Sequence, residues 1–215
     1  MWFRKNSSVY PFIISLIFSC SSALAGEFNS TFNMKAGPAI VCFTPGGGCA
    51  QIIINELQKA KESILVQAYS FTSAPIAEAL VDAFKRGVRV EVILDKSQKM
   101  ERYSSTKFLS NRGIPTYIDC EHAIAHNKIM IIDGATLITG SFNFTKAAQE
   151  RNAENLLILH DLTTIAFYTK NWTVHRRHSE LSRGSNRRIR KIKNDVRGSG
   201  SKEGERFYGV GKQQE

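Results

Sequence analysis

Residues 126–143 constrain the fold more than any other part of the chain, because they combine strand patterns, a turn and polar residues at fixed intervals. From His126 to Ile132 the sequence is short, apolar and β-branched, which predicts a buried strand. Asp133 and Gly134 are a typical hairpin-turn pair, and residues 135–139 return as a second apolar segment. The sequence therefore predicts a β-hairpin.

Polar residues recur through this hairpin in the pattern H-x-K-x4-D-x6-G-S-x-N. Its specified positions are His126, Lys128, Asp133, Gly140, Ser141 and Asn143. Side chains two apart on a strand share a face, so the first two point the same way. An imidazole, an ammonium, a hydroxyl and an amide on one side of the chain suit a phosphate group.

In such a site Lys128 supplies charge, Ser141 and Asn143 supply hydrogen bonds, and His126 can attack phosphorus. Each residue taken alone has an ordinary structural explanation, and it is their coincidence at this spacing that favours catalysis. Asp-Gly forms turns by itself, so we predict a structural role at the site for Asp133, as for the glycine of the motif, Gly140.

The pattern resembles the HKD signature of the phospholipase D superfamily, whose members cleave phosphodiester bonds. The likeness extends over about residues 38–175 and is strongest to the small single-motif bacterial endonucleases. It implies a mixed β-sheet flanked by helices, a covalent phosphohistidine at His126, and phosphate binding by Lys128, Ser141 and Asn143. Glu154 matches a glutamate that lies near the catalytic histidine in those nucleases, where a carboxylate fixes the imidazole tautomer.

No cofactor or metal is predicted. Nucleases that use two metals need several convergent carboxylates, and within the motif and the matched segment at residues 152–155 the only carboxylates are Asp133 and Glu154. A zinc site is disfavoured because the chain has no Cys-x-x-Cys or Cys-x-x-His pair.

Only one copy of the motif is present, since none of the other histidines has a lysine two residues later. Superfamily members use two copies, one to attack phosphorus and one to protonate the leaving oxygen. The resemblance therefore implies a homodimer with an active site shared across a two-fold axis. The chemistry agrees, because one imidazole cannot be nucleophile and acid at once.

The first 25 residues have the layout of a signal peptide: Arg4 and Lys5, an apolar run from Tyr10 to Phe18, and small residues ending at Ala25. Cleavage after Ala25 predicts a periplasmic or secreted protein. A lipoprotein modified at Cys20 and an uncleaved anchor are the alternatives. Cleavage leaves Cys42, Cys49 and Cys120, enough for one disulfide whose pairing the sequence leaves open, with Cys42–Cys49 able to close a glycine-rich loop.

Residues 26–178 are predicted to be one catalytic domain, because strand and helix patterns alternate as in a mixed α/β sheet covered by helices. Besides the hairpin we predict strands at 39–43, 63–70, 88–94, 116–118 and 156–159, and helices at 49–61, 74–86, 105–111 and 162–175.

Residues 179–215 are predicted to be a basic, disordered tail. Residues 176–215 hold twelve Lys/Arg against five Asp/Glu, whereas residues 26–175 hold fifteen against fourteen. The cluster at residues 187–193 suits a polyanion, either nucleic acid or an anionic membrane surface; a merely solubilising extension is the alternative. Three functions remain: a nuclease acting on DNA or RNA, a phospholipase D acting on lipid head groups, and an inactive binding module.

Overall fold

Apolar strands and amphipathic helices alternate along the part of the chain that the computed structural model describes, residues 39–101 and 104–182. The strands are β1 (Ile40–Thr44), β2 (Ser63–Ala68), β3 (Arg89–Asp95), β4 (Thr116–Asp119), β5 (Lys128–Ile132), β6 (Thr136–Gly140), β7 (Glu154–Leu159) and β8 (Glu180–Leu181). The helices are α1 (Cys49–Lys59), α2 (Ala74–Lys85), α3 (Ser105–Asn111), α4 (Lys146–Glu150) and α5 (Leu162–His178), with a short 3-10 helix at Lys96–Lys99.

All eight strands form one mixed sheet in the order β1-β7-β6-β5-β2-β3-β4-β8. Strands β2, β3 and β4 are parallel, and every other pairing is antiparallel. The predicted hairpin is β5 and β6, and the predicted fold class, a mixed sheet flanked by helices, is confirmed. Because β5 runs antiparallel to β2 in the register Ala68↔Lys128, the start of β5 lies at the edge of the sheet where the parallel strands end.

Two apolar cores cover the faces of the sheet. The larger core lies on the side of α1 and α2 and includes the fully buried rings of Phe71, Phe142 and Phe144. The smaller one lies under α5, where the Trp172 indole N–H donates to the Val66 carbonyl at 3.0 Å. Burial on both faces explains why the central strands are apolar at almost every position rather than alternating.

Two boundaries differ from the sequence prediction. Strand β5 begins at Lys128, so His126 precedes the strand in a loop. The sheet also continues beyond His178, because β8 pairs with β4 and the Ser182 N–H donates to the Thr116 carbonyl at 2.8 Å. The predicted boundary after residue 178 is therefore about four residues too early.

The predicted signal peptide at residues 1–25 and the basic cluster at 187–193 lie outside the described residues. Within the described part of the chain, no helix has the length and apolarity needed to span a bilayer.

A disulfide joins Cys42 of β1 to Cys49, the first residue of α1, and leaves Cys120 free and exposed. The bridge closes the loop that contains Gly47. A side chain at Gly47 would collide with the Phe43 carbonyl oxygen, so the close approach of the loop to β1 requires glycine.

Asp133 fastens the β5–β6 turn to the start of β2. Its φ of 52° and that of Gly134, 60°, are both positive, as a type I′ turn requires. The carboxylate accepts hydrogen bonds from the backbone amides of residues 61, 62 and 63 at 2.8–2.9 Å. Burial alone would raise the pKa of Asp133, but these three hydrogen bonds outweigh it and hold the pKa below its usual value.

We expect Asp133→Asn to lower the free energy of unfolding by about 2 kcal/mol at neutral pH, since asparagine tolerates the positive φ but gives up a charged acceptor of three amides. The lowered pKa stabilises the fold fully above the unfolded value, near pH 4, and this contribution is lost as pH falls through the folded pKa. The variant should therefore show a smaller loss of stability in acid than the wild type. Urea unfolding at several pH values measures both effects.

The control is Asp82→Asn, which removes an exposed ion pair with Lys85 at 3.0 Å and should cost less than about 0.5 kcal/mol. Equal effects of the two substitutions would contradict the role of Asp133.

Candidate active site

The two residues at the head of the motif lie together at the end of β2. Lys128 opens β5 and is 7% exposed, while His126 is exposed in the loop before it. The Lys128 ammonium donates to the carbonyl oxygen of His126 at 2.7 Å. The Tyr69 ring lies close to both: its centroid is 4.6 Å from the centroid of the imidazole and 5.1 Å from Nζ of Lys128. An exposed imidazole and a buried ammonium thus lie at the same end of the sheet.

The place of Tyr69 beside His126 and Lys128 was not predicted from the sequence. Its backbone N–H donates to the Asn127 carbonyl at 2.9 Å, which extends the β2–β5 pairing past the end of both strands. This bond holds the loop residue between His126 and Lys128 in place. An aromatic residue directly after an apolar strand, as here, carries no distinctive signal of such a role.

The buried surroundings of Lys128 disfavour its charged form. Burial lowers the pKa of Lys128 from its ordinary value, and the negative charge of Glu154 raises it part of the way back. A cation with little water around it attracts a phosphate more strongly than an exposed one, because the local dielectric is low. Glu154 therefore helps to keep Lys128 protonated.

Glu154 also organises the strand ends beside the site. The Ser141 hydroxyl donates to one of its carboxylate oxygens at 2.6 Å, and the Asn152 amide donates to the other at 3.1 Å. The same hydroxyl accepts from the Asn155 backbone N–H at 3.0 Å. These bonds tie the end of β6 to the start of β7.

The expected hydrogen bond between Glu154 and His126 is not among those of the described residues, and the carboxylate is bonded by Ser141 and Asn152 instead. The Ser141 hydroxyl proton is thereby committed to Glu154. Phosphate binding by Ser141 stays a prediction, and it requires that this proton be redirected to the substrate.

Gly140 permits β6 and β7 to approach each other. Its φ is 143°, and a side chain there would collide with the Asn155 carbonyl oxygen. Any other residue would push β7, and Glu154 with it, away from the site.

Asn143 is held by its neighbours, and its side-chain oxygen is without a partner among the described residues. The Phe144 carbonyl accepts the backbone N–H groups of Thr72 and Ser73 at 3.0 and 2.9 Å, and its ring meets Phe71 edge-on. The Asn143 side-chain oxygen is buried without a hydrogen-bond partner among the described residues. Buried polar atoms are nearly always bonded, so this oxygen is available to accept a hydrogen bond from a donor group.

Asp133, predicted to be structural at the site, is structural but lies elsewhere. It follows the opposite end of β5 from Lys128, roughly 16 Å away at the rise of a strand. The turn it stabilises therefore lies at the other end of β5 from His126 and Lys128.

A second polar cluster was missed. Asp119, His122, His175 and His178 converge at the end of β4. The signal in the sequence is the pair of spacings D-x-x-H, at Asp119 and His122, and H-x-x-H, at His175 and His178.

Known proteins with similar sequences and structures carry the same domain. Residues 53–173 match the family described as "Cardiolipin synthase, PLD-like domain". The chain is 46% identical to a phospholipase D of Rickettsia felis, over 79% of this chain and 96% of that protein. It is 39% identical to a phospholipase D of Rickettsia conorii, over 79% of this chain and 85% of that protein.

The crystal structure of a phospholipase D family member, Nuc from Salmonella typhimurium, has the same fold. The two superpose with a TM-score of 0.66 at 34% identity, covering 68% of this chain and 98% of that one. The family match spans all the motif residues and Glu154.

We expect Glu154→Gln to move the alkaline limb of kcat/KM to lower pH, because it removes the charge that raises the pKa of Lys128. A phosphodiester with p-nitrophenolate as leaving group needs no acid, so loss of activity as pH rises reports loss of the ammonium. Glu150→Gln removes an exposed carboxylate of α4 and should leave the limb in place. If the alkaline limb of Glu154→Gln stays at the wild-type pH, whatever the maximal value of kcat/KM, then Glu154 does not raise the pKa of Lys128.

Proposed function

The chain belongs to the phospholipase D-like family of phosphodiesterases, and on this premise we propose that it is a metal-independent endonuclease that cleaves DNA, RNA or both. The observation that carries the phosphodiesterase chemistry is the exposed imidazole of His126 beside the buried ammonium of Lys128, 2.7 Å from the His126 carbonyl. The choice of nucleic acid rests on the motif's resemblance to single-motif endonucleases and on the positive charge concentrated after residue 175.

In the proposed reaction a neutral His126 nitrogen attacks phosphorus, and an N–P bond forms as the P–O bond to the leaving group breaks. His126 of the partner subunit donates its proton to the departing oxygen. Water then attacks the phosphohistidine, gives a proton back to that second imidazole, and releases the phosphate product with His126 regenerated. Lys128 and Asn143 stabilise the charge on the phosphoryl oxygens.

The shared site requires a subunit interface, and we propose that strand β1 provides it. Val41 and Phe43 are 55% and 66% exposed on one face of this edge strand. Both are large and apolar, and they lie beyond the part of the sheet that α5 covers. Thr44 of β1 pairs with Glu154, so the end of this strand lies next to the strand that carries Glu154. A second copy of the chain is the occupant that also supplies the missing imidazole.

Phe43→Asp should convert the dimer to monomers and lower activity by at least about 100-fold, since each monomer lacks the acid. Leu162→Asp is the matched control, because Leu162 is also 66% exposed but lies at the start of α5. Sedimentation and activity of both variants measure the effect. A Phe43→Asp monomer with wild-type activity, or a dimer of unchanged stability, would refute the interface.

The substrate class is tested by assaying the full chain on plasmid DNA, RNA and phosphatidylcholine vesicles in parallel. We expect cleavage of nucleic acid, and a loss of about 10⁴-fold or more in His126→Ala, which removes the nucleophile and the acid together. His160→Ala, at an exposed histidine outside the motif, should keep full activity and the same circular dichroism. Near-wild-type turnover by His126→Ala would sink the assignment.

Phospholipase D is the second candidate, favoured by the names of the Rickettsia relatives. Hydrolysis of vesicles with no cleavage of DNA or RNA would move it ahead of the nuclease. Truncation after Ser182 separates the two roles of the basic segment: loss of DNA affinity supports the nuclease, and release from anionic vesicles supports the lipase.

We also propose export to the periplasm or beyond, on the signal-like first 25 residues and the Cys42–Cys49 disulfide.

A further inference from the structure

Asp119 is a buried carboxylate surrounded by imidazoles. It closes β4, and its side chain is 0% exposed. His175 Nδ1 lies 2.9 Å from its Oδ2, His122 Nδ1 lies 3.0 Å away, and His178 Nε2 lies 3.3 Å away. Three ring nitrogens from two separate segments thus converge on one oxygen atom.

Asp119 has several hydrogen-bond donors but no permanently charged partner among the described residues. A buried carboxylate needs compensation for its lost hydration, usually from a fixed cation. Within the described residues no lysine or arginine forms an ion pair with Asp119. Its Oδ1 already accepts the backbone N–H groups of Glu121 and His122, at 3.1 and 3.3 Å. The three imidazoles are the remaining partners, and none carries a permanent charge.

The same atoms match the requirements of a divalent transition metal. One atom from each of the four side chains lies within 4.8 Å of all the others. Ligands bound tetrahedrally at about 2.0–2.1 Å are about 3.3 Å apart, so small rotations of the rings complete the site. His175 and His178 are three apart on α5 and share its face, as ligands on one helix must.

We propose that Asp119, His122, His175 and His178 bind one Zn²⁺ ion. Three imidazole nitrogens and one carboxylate oxygen form a ligand set that zinc accepts, and four protein ligands leave no open position for a substrate. The site is therefore structural. It contains no thiolate, so it is compatible with the oxidising conditions in which the Cys42–Cys49 disulfide persists.

The ion would fasten the loop that leads to the catalytic histidine. His122 lies four residues before His126, and the His122 carbonyl accepts from the Lys96 ammonium at 2.9 Å. Farther along the loop, the Ala125 N–H donates to the Asp95 carboxylate at 2.7 Å. Zinc adds a third tie, from the loop to the last turn of α5.

The zinc site is separate from the phosphodiester site. Strand β4 is three strands from β5, roughly 14 Å at normal strand spacing. Asp119 lies on the α5 face of the sheet together with Tyr117, whereas Lys128 shares a strand face with Met130 and Ile132 of the other core.

The test uses the untagged full chain, dialysed against metal-free buffer after incubation with ZnSO₄. We expect about one zinc per chain by mass spectrometry, and the absorption bands of tetrahedral cobalt when Co²⁺ replaces it. The double variant His175→Gln/His178→Gln should retain less than a tenth of the zinc and lose the rise in melting temperature that added zinc gives the wild type. His160→Gln, an exposed histidine outside the cluster, should behave as wild type in both measurements.

Equal zinc content in the double variant and the wild type would overturn the proposal, as would a wild type with no zinc and no response of its melting temperature. Chelation separates this site from the catalytic mechanism. EDTA should lower the melting temperature of the protein. At temperatures below this new melting temperature, the EDTA-treated protein should still cleave its substrate. Activity lost with EDTA and restored by Mg²⁺ would instead contradict the metal-independent reaction and leave the zinc measurements standing.

Discussion

The antiparallel pairing of β5 with β2 is the constraint on which the site depends. It turns the start of β5 toward the edge where the parallel strands β2, β3 and β4 end. The loop from β4 to β5 must therefore run along this edge, and it carries His122 at one end and His126 at the other. One register thus places both polar clusters of the described chain on the same border of the sheet.

The charges along this border are balanced in two different ways. Lys128 is a buried cation with one carboxylate, Glu154, close enough to support its charge. Because only one carboxylate supports the Lys128 ammonium, its positive charge is not fully offset by neighbouring anions. Asp119 is the reverse case, a buried carboxylate among imidazole rings. The first cluster is open to an anionic ligand, and the second is closed around its own carboxylate.

Local patterns in the sequence predicted most of the elements, and long-range contacts account for what was missed. The alternation from Val88 to Leu94 and the Asp133-Gly134 turn specified β3 and the hairpin without further information. Strand β8 has two residues, too few to show a period. The partner of Glu154 depends on how β6 meets β7, and the imidazoles of α5 reach Asp119 across 56 and 59 residues. The spacings D-x-x-H and H-x-x-H are visible in the sequence, but local spacing does not show that the two pairs meet. It also does not show the partner of Glu154 or the order of the strands.

The edge strands give the proposed assembly a length scale. In the described sheet β1 and β8 are the two outermost strands, separated by seven strand spacings or roughly 34 Å. Two subunits joined through β1 therefore place their Ser182 residues at opposite ends, on the order of 70 Å apart, which is about 20 base pairs of duplex at ~3.4 Å each. A duplex of that length can engage the basic segments of both subunits at once while its middle crosses the shared site, and a shorter one reaches only one of them. Bivalent attachment of this kind favours long polymers through effective concentration rather than through any new contact.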